Sequence, residues 1–115
     1  MEKTLRMSLL FDFYGPLLTE RQQDVFQMYF HEDLSLGEVG DELDVSRQAI
    51  YDILKRAAQT LEEFESKLGL VQKHQERQHI YDEILNLVEL LRAECGELPH
   101  LGSIEEQIQK ARATS

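Results

Sequence analysis

The stretch LSLGEVGDELDVSRQAIYDILKRA, from Leu34 to Ala57, limits the possible folds more than any other part of the chain. It reads as two amphipathic helices separated by little more than Asp44 and Val45, with Ser35 capping the first and Ser46 capping the second. Helices joined so tightly must cross steeply, and the first then needs a small residue where the second lies against it. Gly40 supplies one. Such a turn commonly needs a left-handed residue, and Asp44 adopts that conformation better than most non-glycine residues.

The second helix, expected over about 46–68, carries the sharpest pattern. At 100° per residue, Ile50, Ile53, Leu54, Ala57, Leu61, Phe64 and Leu68 fall within an arc of about 100°. Arg47, Gln48, Tyr51, Asp52 and Lys55 occupy a separate arc of about 140°. The polar arc has major-groove chemistry. Arg47 can donate twice to a guanine, and Gln48 can pair with an adenine edge. Tyr51 offers a ring for a thymine methyl and a hydroxyl for phosphate. Asp52 can accept from a cytosine amino group or orient Arg47 or Lys55, while Lys55 and Arg56 are placed for phosphate. Further along, Glu62 and Glu65 return to this face and are expected to repel phosphate, which confines contact to the first turns.

Helix signals dominate the rest of the 115 residues. Leu5, Leu9 and Phe13 share helical spacing in a segment from Glu2 to about Tyr14, closed by Gly15 as a left-handed cap and by Pro16. Thr19 with Gln22, Ser35 with Glu38 and Ser103 with Glu106 each read as a capping box. A fifth helix is expected from about Val71 to Glu94, after a stop at Gly69, and a short sixth carries Ile104 and Ile108. The expectation is an all-α protein with a helix-turn-helix domain over 1–70 and a helical extension over 71–115 that packs or dimerises.

Composition narrows function. The net charge is −10, and residues 1–70 hold fourteen acids against seven bases. Such a chain has no general grip on nucleic acid, so contact with DNA must use a small local patch. Between Ser46 and Leu61 there are three bases and one acid, a locally basic stretch. The longest apolar run, LNLVELLRA, is far short of a membrane span. The N-terminal stretch contains Asp12 and lacks a small-residue cleavage site, and Cys95 stands alone, so a cytoplasmic location is expected.

The segment LTERQQDVFQMYFHEDLSLGEVGDELDVSRQAIYDILKRAAQTLEEF, Leu18 to Phe64, closely resembles the −35-reading region 4 of bacterial sigma factors. Its order is specific: LTERQ, then LSLGEVG, VSRQAI and KRA. With the MEKTLRMSLLFDFYGPLLT lead-in and the acidic helical tail, the whole chain resembles the YlxM family of small helix-turn-helix proteins of Gram-positive bacteria. The resemblance implies DNA binding and a regulatory role linked with the signal recognition particle pathway. It maps base readers onto Arg47, Gln48, Tyr51 and Asp52. The last two depart from the long basic or amide side chains usual in sigma factors, which argues against a −35-type target. Leu54 is apolar where sigma factors tend to be polar, widening the greasy face as if to receive the C-terminal helices. The sigma regions that melt DNA have no room here.

In the C-terminal third, Ile80, Tyr81, Ile84, Leu85, Leu87, Val88 and Leu91 form an apolar arc of about 160°, wider than the roughly 100° one core requires. The excess is expected to meet a second copy in a homodimer, or to be covered by the last helix. His74 and His79, five apart, make a poor metal pair, and no nucleophile–base pair or phosphate-cradling loop is visible. No metal, cofactor or catalytic residue is expected. Two functions remain: a dimeric regulator that binds double-stranded DNA, and an adaptor that keeps the helix-turn-helix shape but binds a signal recognition particle component through its acidic surface or the face of the fifth helix.

Overall fold

The computed structural model describes residues 3–114. In order these form α1 (Lys3–Tyr14), a turn of 3-10 helix (Gly15–Leu17), α2 (Glu20–Phe30), α3 (Leu36–Leu43), α4 (Arg47–Leu68), α5 (Leu70–Cys95) and α6 (Leu101–Thr114), with no strand among the described residues. The chain divides after Val71 into two compact units.

In the first unit two helix starts follow the capping boxes. The Thr19 hydroxyl accepts from the Gln22 N–H at 3.2 Å, and the Gln22 side chain accepts from the Thr19 N–H at 3.0 Å. Ser35 and Glu38 do the same at 3.1 and 3.0 Å. Each box satisfies two amides that a helix start would otherwise leave unpaired. Gly69 ends α4 in the left-handed region, at φ 62°.

Gly15 behaves differently from the expected left-handed cap. It is not among the positive-φ glycines, and the chain passes from α1 into the 3-10 turn with Pro16 in its first positions. Its smallness serves packing instead, because a Cβ there would stand 3.1 Å from the Phe11 ring. The expected start of α1 at Glu2 lies outside the described residues.

Two apolar clusters fill this unit. The larger joins Met7, Leu10, Phe11 and Tyr14 of α1 to Leu18, Phe26, Ala57, Leu61 and Val71. The Phe11 and Phe26 rings stack with centroids 4.6 Å apart and planes within 4°. The smaller cluster, Val25, Val39 and Ile50, lies under the helix-turn-helix. Leu54 packs against both. It thus has a place inside the first unit, whatever else its apolar side chain does. Of the helically spaced Leu5, Leu9 and Phe13, the last two pack partly buried against the larger cluster, while Leu5 is 55% exposed and Leu10 is fully buried. Large residues lie all round α1, so spacing alone selects no face; contact with Phe26 and Leu61 does.

Polar ties fasten α1 to α4. Arg6 donates from Nε and Nη2 to the two carboxylate oxygens of Glu62, both at 2.7 Å. Those hydrogen bonds hold the Glu62 carboxyl below its ordinary range. The Tyr14 hydroxyl donates to Glu65 at 2.6 Å and accepts from the Leu70 N–H at 3.0 Å, and the Val71 N–H donates to Glu65 at 3.0 Å. Burial, and then the bond to Glu65, push the Tyr14 phenol upward. Tyr14→Phe keeps the ring but leaves the Leu70 N–H without its acceptor, and should cost about 1–3 kcal/mol in denaturant unfolding. The Tyr14 contribution is present below a phenol's unfolded pKa of about 10 and is lost as pH rises through the raised folded value.

The second unit, 72–115, contains most of α5 and all of α6. Val88 and Leu101 are its buried apolar side chains among the described residues. Arg92 bonds Glu89 at 2.5 Å, Glu97 at 2.6 Å and also Glu105, which ties α5 to the first half of α6. The Glu105 carboxyl is lowered by those bonds. Arg112 pairs with Asp82 at 3.2 Å. α6 begins at Leu101, two residues before the expected Ser103 cap, so Ser103 lies inside the helix. Burying Leu101 draws that first turn into helix, and His100 makes the corner at φ 76°. The wide apolar arc of α5 is only partly covered: Ile80, Leu87 and Leu91 are exposed, as are Leu90 outside the arc and Ile104 of α6.

Candidate nucleic-acid interface

The site begins at the turn. α3 ends on Asp44 in the left-handed conformation, φ 57° and ψ 45°. The N–H groups of Asp44 and Val45 both donate to the Gly40 carbonyl. This tight closure brings the Val45 carbonyl to 2.7 Å from where a Gly40 Cβ would stand. The expected need for a small residue at 40 and a left-handed one at 44 is met at both positions.

The Ser46 hydroxyl accepts from the Ala49 N–H at 3.0 Å and fixes the first turn of α4. Ile50 is fully buried in the smaller cluster, with Ile53 and Leu54 packed against that cluster. Burying this stripe turns the opposite arc outward. Arg47, Gln48, Tyr51, Asp52, Lys55 and Arg56 are all exposed.

Within the arc, Gln48 Nε2 donates to Asp52 Oδ1 at 3.2 Å. Asp52 therefore orients Gln48 rather than Arg47 or Lys55. Arg47, Lys55 and Arg56 make no ion pair among the described residues, whereas Arg6, Arg92 and Arg112 each hold at least one carboxylate. No acid occupies the first turn of α4. The positive end of the helix dipole adds to the cations there.

Glu62 and Glu65 do not act as the bare repellent acids expected from their spacing. Arg6 neutralises Glu62, and Glu65 is held by Tyr14 and Val71. Their helical angle is as calculated, but α1 lies over that part of α4. Tyr51 and Lys55 also line a groove with Lys3 and Tyr29, residues that no sequence spacing places beside them.

The family profile described as "Putative helix-turn-helix protein, YlxM / p13 like" matches residues 1–95. The chain belongs to this family, UPF0122. A UPF0122 protein of Thermoanaerobacter sp. (strain X514) is 50% identical over 102 residues, 89% of this chain and 87% of the relative. One from Bacillus mycoides (strain KBAB4) is 47% identical over 110 residues, covering 96% and 97%. Another, from Bacillus thuringiensis (strain Al Hakam), is 52% identical over 88 residues, covering 76% and 80%. The UPF0122 profile takes in the whole helix-turn-helix and ends at Cys95, the last residue of α5. No described helix is long and apolar enough to cross a membrane.

Proposed function

We propose that this UPF0122 protein is a regulator that binds double-stranded DNA through the first turns of α4. One observation carries the reading: in a chain of net charge −10, the three cations between Ser46 and Leu61 are exposed and make no ion pair among the described residues. Arg47 supplies a bidentate donor for a guanine edge. Gln48, steadied by Asp52, keeps its amide oxygen and a second N–H for an adenine edge. Lys55 and Arg56 hold the backbone. Enrichment of duplexes from a random pool at low salt tests the proposal. A recovered consensus supports it, and an unchanged pool with folded protein refutes it.

The exposed Ile80, Leu87 and Leu91 of α5 supply a face for a second copy, and a two-fold pair of α4 helices suits a two-half-site operator. Sedimentation should give a dimer for the wild type and a monomer for Leu87→Lys; a monomeric wild type would remove this part of the proposal.

The same net charge favours a second reading, an adaptor whose acidic surface holds a basic protein such as a signal recognition particle component. That reading requires binding that survives nuclease and weakens on charge reversal of exposed acids such as Glu76, Glu83 and Glu94.

A further inference from the structure

Beside the proposed DNA face, the first unit contains a groove of about 470 Å³ between the start of α1, the end of α2, the start of α3 and the middle of α4. This is within the range of small-molecule sites, roughly 300–1,000 Å³. Its apolar lining is Met7, Phe30, Leu36, Leu54 and Ala58. The polar lining residues are Lys3, Lys55, Tyr29, Tyr51, Thr4 and Gln59. No carboxylate among the described residues lines it, although acids outnumber bases by ten in the chain. Carboxylates line the shallower depressions that continue it: Asp33 and Glu38 at one end, Glu62 and Glu63 at the other. Glu62 is already held by Arg6.

We infer that this groove binds a single-chain aliphatic carboxylate, with the tail on the apolar lining and the headgroup between Lys3 and Lys55. The charge pattern selects the ligand. A carboxylate headgroup gains charge-assisted hydrogen bonds to Lys3 and Lys55 that a neutral lipid tail cannot make, and a bare phosphate would make no use of the apolar lining. Flexible Met and Leu side chains suit a linear chain better than a rigid ring system. Tyr51 and Lys55 belong to both the groove and the proposed DNA face, so ligand and duplex compete for them. That competition rests on the DNA-binding proposal; ligand binding does not.

The probe is decanoate, titrated below its micelle concentration into the full chain by calorimetry, with tyrosine and methyl NMR shifts to locate it. The expected result is saturable one-site binding with shifts at Met7, Tyr29, Tyr51 and Leu54. Decanol, and the Lys3→Gln/Lys55→Gln double variant with decanoate, should each bind at least tenfold more weakly, while Lys67→Gln leaves binding unchanged. Absence of saturable binding, equal affinity for decanol, an unaffected double variant, or shifts confined to α5 would each overturn the inference. Competition is read separately, from the affinity of a selected duplex with and without decanoate. Decanoate binding without any duplex binding would leave this inference standing and remove the DNA proposal instead.

Discussion

Gly40→Ala should lower the stability of the first unit by about 3 kcal/mol, read as a fall in the denaturant midpoint of helical circular dichroism. The added Cβ would stand 2.7 Å from the Val45 carbonyl oxygen and 3.5 Å from the Arg47 nitrogen. Both are backbone atoms, so no side-chain rotation relieves the contact. The turn itself must move, and with it the Asp44 corner and the Ser46 cap. Alanine's better helix propensity returns only about 1 kcal/mol. Gly37 in the same helix is the internal control. A Cβ there meets only the Ser35 hydroxyl at 3.9 Å, so Gly37→Ala should gain about 0.5–1 kcal/mol. Equal effects at the two positions would mean that the close crossing of α3 and α4 is wrong.

DNA affinity should fall about a hundredfold between 50 and 200 mM salt. About four neutralised phosphates, two each from Lys55 and Arg56 of the two subunits, give a log–log slope near −3.6, since each neutralised phosphate releases counterions. Little else compensates, because the rest of the chain is acidic. Arg47→Ala should cost about 1–3 kcal/mol on the selected sequence while leaving non-specific binding nearly unchanged, as a base-reading arginine requires. Lys55→Ala should instead weaken all sequences alike and reduce the slope by about 1 per subunit. A flat salt response, or identical behaviour of the two variants, would contradict the division of labour on α4.

The parts of the fold legible from sequence are those governed by neighbours in the chain. Thr19–Gln22 and Ser35–Glu38 make their boxes, Gly40 and Asp44 build the turn, and Gly69 ends α4, because each depends on local geometry. What escaped depends on distant partners. Gly15 is small for the Phe11 ring rather than for a left-handed corner. Ser103 has a cap's sequence, yet burial of Leu101 starts the helix earlier. Glu62 and Glu65 have the angle of the candidate DNA face, and only the packing of α1 shows them bound to Arg6 and Tyr14. The six exposed residues of the candidate site were legible because an amphipathic helix exposes whatever lies opposite its buried stripe. The Gln48–Asp52 bond differs from the expected pairing of Asp52 with Arg47 or Lys55. The groove was invisible for the opposite reason, since its lining comes from four helices and no spacing rule connects Lys3 with Lys55.

Amide NMR of the full chain during titration with a selected duplex tests the α4 interface most directly. Shifts concentrated on Arg47, Gln48, Tyr51, Asp52 and Lys55, with α5 and α6 little changed, are the expected result. Saturable binding that shifts other surfaces and leaves the first turns of α4 unmoved would contradict it.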